Sequence, residues 1–146
     1  MGTSLDMIEP GLARLLLEAF RALDAEVGGA LRDLGVAELR PSQAVALLHV
    51  DRTGTRLSAL AQRAEISKQA MMQLIDELSA MGCLRRTPDP PDARAKVVRL
   101  TAKGLRHRAA ARKAIANVES RARRRLGNRR YDALRATLTE LRSAEA

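Results

Sequence analysis

The stretch from Ser67 to Gly104, SKQAMMQLIDELSAMGCLRRTPDPPDARAKVVRLTAKG, carries two different periodicities in succession. In its first part, Met71, Leu74, Leu78 and Met81 recur at helical spacing. Ser67 stands where a hydroxyl caps a helix, and Gly82 where helices end. The spacing predicts a helix over Lys68–Met81. At 100° per residue, the side away from the apolar stripe carries Gln69, Met72, Gln73 and Asp76, with Lys68 on its edge. The second part reads as two strands, Leu84–Thr87 and Lys96–Leu100, around a proline-rich bend. Prolines suit the tip of a long hairpin and exclude a central strand there. Thr101 then caps a further helix.

Upstream, Ser58 is a good N-cap for a brief helix over Ala59–Ala64, joined to the next by Glu65-Ile66-Ser67. Two short helices on so tight a connection form a helix-turn-helix, with Ile66 placed to plug the angle between them. Thr55-Arg56-Leu57 reads as a short extended link. Before it, Pro41-Ser42 opens a helix with Ala44, Leu47 and Leu48 apolar, ending at the turn cluster Asp51–Gly54. Leu12, Leu16, Phe20, Leu23, Val27, Leu31 and Leu34, in steps of three and four, mark a long amphipathic helix. Ala111, Ile115, Val118, Ala122 and Leu126 mark another. After a break at Gly127-Asn128, a last helix carries Tyr131, Leu134, Leu138 and Leu141. The expected architecture is mainly α and single-domain. A winged helix-turn-helix lobe spans 41–101, with long helical segments at 10–35 and 102–146.

The chain has 146 residues and a formal net charge of +9. Residues 84–130 hold 16 Arg and Lys against 3 Asp and Glu, a net +13, while the rest of the chain is net −4. A basic segment on a near-neutral body suits a polyanionic partner, and suits a solvated arginine-rich surface equally well. One cysteine, Cys83, precludes an internal disulfide and fits a reducing compartment such as the cytoplasm. Its place after Gly82 fits a small core filler better than a redox sensor. His49 and His107 stand far apart without ligand spacing, so no metal is expected. His49 fits a helix end at a core edge. No apolar run is long enough to span a bilayer, and the N-terminus lacks a secretory pattern. No phosphate-binding loop, carboxylate pair or nucleophile–base motif points to an enzyme or a cofactor. Phe20 and Tyr131 are the only aromatics, too few for stacking single-stranded bases.

In a winged helix, the polar side of Lys68–Met81 is long enough to enter a major groove. Gln69 and Gln73 can pair with an adenine edge, and Met72 shares their face. Ser67 and Lys68 at the helix start are placed for phosphate. Arg94, on the hairpin bend, suits a narrow, negative minor groove. Asp92, two residues earlier, can hold its guanidinium by a charge-assisted hydrogen bond. Arg86 and Lys96 flank the hairpin as phosphate partners. The alternatives are a solvated helix face and a solvated turn. A winged helix adapted to bind another protein, without operator binding of its own, is a further alternative.

The quoted stretch resembles the core of the MarR family of bacterial transcription regulators. Members carry Leu-x-x-x-Gly at the end of the recognition helix, then an Arg, then Asp-x-Arg in the wing, then Leu-Thr-x-x-Gly. Those positions are Leu78 to Gly82, Arg86, Asp92 with Arg94, and Leu100-Thr101 with Gly104. The sequence LSALAQRAEIS, from Leu57 to Ser67, resembles the preceding helix of the motif. The resemblance implies a homodimer that binds pseudo-palindromic duplex DNA, usually as a repressor, and that a small-molecule effector often releases. The apolar residues for such a dimer are Leu12, Leu16, Phe20, Leu23, Val118, Leu126, Tyr131, Leu134, Leu138 and Leu141. The family's pocket between dimer helices and lobe would fall near Ala46, His49 and Val50. Two positions depart from the pattern: Arg40 stands before Pro41 where Thr or Ser is common, and Ala93 where many members have a second Arg. The run Arg121–Arg125 either extends a phosphate-contacting surface or pairs with acids of the first helix, such as Glu18 or Glu26.

Overall fold

A computed structural model describes residues 9–89 and 92–143, with the side chains of 89–95 outside the described set. In chain order its elements are α1 (Leu12–Asp33), α2 (Pro41–Leu48), β1 (Thr55–Arg56), α3 (Leu57–Ala64) and α4 (Lys68–Ala80). There follow β2 (Leu84–Asp89), β3 (Asp92–Leu100), α5 (Ala102–Leu126) and α6 (Asn128–Ser143). The mainly helical, winged architecture expected from the sequence is the one found.

Local chemistry places most boundaries. Ser67 Oγ accepts from the Ala70 amide at 3.1 Å and starts α4. Thr101 Oγ1 accepts from the Gly104 amide at 3.0 Å and starts α5. At the end of α4 the Cys83 amide bonds the Leu78 carbonyl and the Gly82 amide bonds the Ser79 carbonyl. This Schellman closure needs a left-handed residue, supplied by Gly82 at φ 78°. The same pair of bonds closes α3, from Ile66 to Ala61 and from Glu65 to Gln62. There the left-handed position falls to Glu65, at φ 55°.

Three expectations need correction. α3 begins at Leu57 with Arg56 as its N-cap, and Ser58 lies inside the first turn. The cause is β1: Thr55 and Arg56 pair with Val98 and Val97 of β3, so the backbone is extended up to Arg56. The extended link is thus an outer strand, and the wing is a three-stranded sheet in the order β1-β3-β2 rather than a simple hairpin. Ile66 does not plug the helix-turn-helix angle. It is 37% exposed and lies outside the core cluster to which Leu60, Met71 and Ile75 belong.

The core lies where α2, α3 and α4 meet the first half of α5, around Leu31, Leu47, Leu60, Met71, Ile75, Leu78 and Cys83. Burial pushes the Cys83 thiol up, away from the reactive thiolate, as suits a packing residue. His49 is the half-buried C-cap of α2. Among the described residues no helix is long and apolar enough to cross a membrane.

The wing leaves the body and returns to it at one point. The Thr101 hydroxyl donates to the Gly82 carbonyl at 2.6 Å, the Thr101 amide to the Cys83 carbonyl at 3.1 Å, and Lys103 Nζ to the Met81 carbonyl at 2.8 Å. Gly104 packs so tightly here that a Cβ would overlap the Cys83 carbonyl oxygen. Two backbones cannot separate without breaking these bonds. Gly104→Ala is therefore expected to destabilise the protein by about 1–3 kcal/mol, the range for overpacking. Urea unfolding measures it; a midpoint equal to that of the wild type contradicts the close approach.

Candidate nucleic-acid interface

The outer face of α4 is free of packing. Ser67, Lys68, Gln69, Met72, Gln73 and Asp76 are all exposed, while Met71, Ile75 and Leu78 on the opposite side are buried. One helix thus anchors itself in the core and presents a polar ridge to solvent. The first turn of α4 lies at the helix's positive end. Beside this ridge runs β2, whose Arg86 guanidinium is held by the Asp76 carboxylate of α4. The bridge is an exposed one, so it links the wing to α4 without adding much stability. Lys96 is exposed on β3 opposite Pro88. Arg99 Nε donates to Thr87 Oγ1 at 2.9 Å, and its guanidinium also reaches the Thr53 carbonyl, tying β3 to β2 and to the turn before β1. Asp92 and Arg94 lie in β3 by their backbone, at the tip end of the ribbon. The placement of their side chains falls outside the described residues.

A second set of contacts steadies α4 from behind and was not foreseen from the sequence. Arg40, the N-cap of α2, has no hydroxyl to offer. Instead Gln43 reaches back, its Oε1 accepting from the Arg40 amide at 2.9 Å. Gln43 Nε2 then donates to Glu77 Oε2 of α4 at 2.8 Å, and the Arg40 side chain bonds the same oxygen. The weaker cap at Arg40 is thus replaced by a bridge between α2 and α4. The only sequence signal was Gln43, three residues after the cap, which is half of a capping box.

Two apolar hollows lie away from α4's ridge. Phe20, Asp24, Val45, Ala46, Ile66 and Met71 line a cleft of about 400 Å³ between α1, α2 and the helix-turn-helix. Ala46 borders this cleft, but His49 and Val50 do not, and Val50 is buried in the core. A larger groove of about 560 Å³ runs between α1, α5 and α6. Leu23, Val118, Leu126, Tyr131, Leu134 and Leu138 line it. Val118 and Tyr131 are already buried within the chain, so they form the groove's floor rather than a free surface. Leu12, Phe20, Leu134 and Leu141 stay wide open, and Leu16 is half-buried. In the basic run, Arg125 pairs with Glu26 at 2.9 Å. Arg123 pairs with Asp132 at 3.0 Å and lies over the Tyr131 ring. Among the described residues no group of His, Cys, Asp or Glu could hold a metal.

A brief helix, a tight turn, a second helix with a solvent-facing polar ridge and a ribbon fastened to its end define a winged helix-turn-helix protein. The sequence profile of the MarR family matches residues 37–95, which take in most of this lobe. No curated protein matches the chain. Among solved structures, the chain is similar to MepR of S. aureus in complex with DNA. That match has a TM-score of 0.81 and 17% identity, covering 93% of this chain and 99% of the other. The transcriptional repressor CouR bound to a 23-mer DNA duplex matches with a TM-score of 0.81 and 24% identity, covering 97% and 99%. CouR from Rhodococcus jostii RHA1 bound to p-coumaroyl-CoA matches with a TM-score of 0.74 and 23% identity, covering 93% and 94%. At these identities the matches speak for the fold.

The bridge has a pH signature. The Gln43 hydrogen bond, with the Arg40 charge adding to it, holds the Glu77 carboxyl below its ordinary range. The His107 bond does the same for Glu38, whose Oε1 lies 2.8 Å from His107 Nε2. A carboxyl with a lower pKa folded than unfolded stabilises the fold above the unfolded value. That contribution fades as pH falls through the folded one. In urea unfolding, the stability gap between wild type and Glu77→Gln is therefore expected to close as pH falls below roughly 4.3. A gap of constant size would show that Glu77 is not held as an anion.

Proposed function

We propose that this protein is a homodimeric, sequence-specific regulator of transcription that binds duplex DNA, most often as a repressor, rather than an enzyme. One observation carries the reading: the polar ridge of α4 is exposed to solvent, and the ribbon beside it is joined to the same helix by the Asp76–Arg86 ion pair. Lys68, Gln69, Met72 and Gln73 stand exposed along it, and a helix with such a face can enter a major groove. Residues 41–101 serve as the DNA-binding lobe. Gln69, Met72 and Gln73 face base edges, and Ser67, Lys68, Arg86 and Lys96 face phosphates. Asp92 and Arg94 belong at the ribbon's tip, in the adjoining minor groove. The DNA complexes of MepR and CouR, which share the fold, support this assignment.

Residues 10–35 and 102–146 serve dimerisation. Leu12, Phe20, Leu23, Leu134, Leu138 and Leu141 are each 39–63% exposed in the single chain. So much open leucine and phenylalanine along two helices is unusual for a monomer. A second copy covers it, and two-fold symmetry then spaces the half-sites about one helical turn, roughly 34–36 Å, apart. The cleft at Ala46 is suited to a mainly apolar effector, and the CouR complex with p-coumaroyl-CoA gives a precedent within the fold.

Selection from a random duplex library tests DNA binding and half-site spacing together. On the selected duplex, affinity is expected to fall steeply with salt, because several Arg and Lys displace counterions. Arg94→Ala is expected to weaken binding by about 1–3 kcal/mol at fixed salt. A flat salt profile, or no enrichment of any duplex, contradicts the reading. Sedimentation of the wild type is expected to give a dimer and Leu134→Arg a lighter species; a monomeric wild type refutes the dimer.

A further inference from the structure

The bridge behind α4 does more than steady the helix. Glu77 Oε2 is occupied by Gln43 Nε2 at 2.8 Å and by the Arg40 guanidinium. Its other oxygen, Oε1, faces Gln73 Nε2 at 3.4 Å. Every orientation in this series is forced by donor and acceptor chemistry. Gln43 is 5% exposed, and its Oε1 is committed to the Arg40 amide, so its NH2 must point at Glu77. An ionised carboxylate only accepts, so Gln73 must also turn its NH2 toward Glu77. The free Oε1 of Gln73 and its second N–H are then left facing solvent, one acceptor beside one donor. Gln73 itself is exposed on the ridge.

We infer that Glu77 is a positioning residue that fixes the Gln73 amide, and through it a preference for adenine at the base pair Gln73 faces. The inference rests on α4 being the recognition helix. An adenine edge in the major groove offers the N6 amino donor and the N7 acceptor, the complement of a fixed oxygen beside one N–H. A guanine edge offers two acceptors, O6 and N7. The fixed oxygen would then oppose O6, and an amide flip to avoid this would turn the Gln73 oxygen onto the Glu77 carboxylate. A cytosine amino group satisfies the oxygen alone. The expected order is adenine, then cytosine, then guanine and thymine. Glu77→Gln reverses the logic. Its single oxygen is claimed by Gln43 and Arg40, so its NH2 faces Gln73 and draws the Gln73 oxygen inward. Two N–H groups then face the groove and suit guanine.

The test uses the full chain and the duplex selected by the wild type, with each base pair of a half-site replaced in turn. Affinities are compared at one salt concentration for wild type, Gln73→Ala and Glu77→Gln. Gln73→Ala is expected to lose discrimination at one base pair. At that same pair Glu77→Gln is expected to lower the adenine-over-guanine ratio at least about fivefold, with the salt slope unchanged. A wild-type ratio in Glu77→Gln, an equal loss at every base pair, or no effect of Gln73→Ala overturns the inference while leaving DNA binding intact. Failure of the wild type to bind any duplex overturns the function, and the inference with it. A second measurement needs neither DNA nor a variant. In the free protein, the side-chain amide resonances of Gln73 are expected to shift as acid protonates Glu77. Resonances insensitive to that protonation overturn the inference.

Discussion

The structure turns on the contact between the end of α4 and the start of α5. A chain that leaves the body as β2 and comes back as β3 must close on itself to hold a fixed direction. It does so where Thr101 and Lys103 bond the carbonyls of Met81, Gly82 and Cys83. Those carbonyls are at the end of a helix, with no partners inside it, so the contact satisfies groups that would otherwise need water. Gly104 is what lets α5 come close enough. With the two ends fused, the position of α4 and the direction of the wing become one quantity. The proposed DNA binding depends on this, because a ridge and a ribbon that moved separately could not address neighbouring grooves.

Electrostatics refines what packing sets. Asp76 and Glu77 are consecutive on α4 and point to different neighbours. Asp76 takes Arg86 from the wing, and Glu77 takes Gln43 and Arg40 from α2. Two acids on an otherwise cationic surface look unfavourable for binding a polyanion. Both are already engaged by protein cations or amides, so each acts as an internal fastener. The basic run in α5 follows the same rule: Arg123 and Arg125 are tied to Asp132 and Glu26, and they brace α5 against α6 and α1.

The elements that follow from short-range rules could be read in advance. The caps at Ser67 and Thr101, the glycine stop at Gly82 and the apolar stripe through Met71 and Leu78 each involve residues a few positions apart. Periodicity and capping describe such pairs well. The errors have a common origin. Ser58 has the right chemistry for a cap, but strand pairing with Val97 and Val98, 41 and 43 positions away, held the chain extended to Arg56. Ile66 has the chemistry of a plug, but the core closes around Leu60, Met71 and Ile75 and leaves it 37% exposed. Val118 and Tyr131 carry the apolar spacing of an interface, and the packing of α5 with α1 and α6 buries them within one chain.

The sequence by itself determined the order and type of the elements, the stripe that anchors α4, the polar set it leaves outside and the lobe's match to a family profile, because each depends on local periodicity or on a motif. The tertiary structure decided which groups meet across that order. It added β1 to the sheet, brought Arg40 and Gln43 onto Glu77, drew Arg86 to Asp76 and opened the cleft beside Ala46. These pairings span from 10 to 43 residues of chain. Such contacts are fixed by how whole helices pack, and no local rule of spacing contains that information.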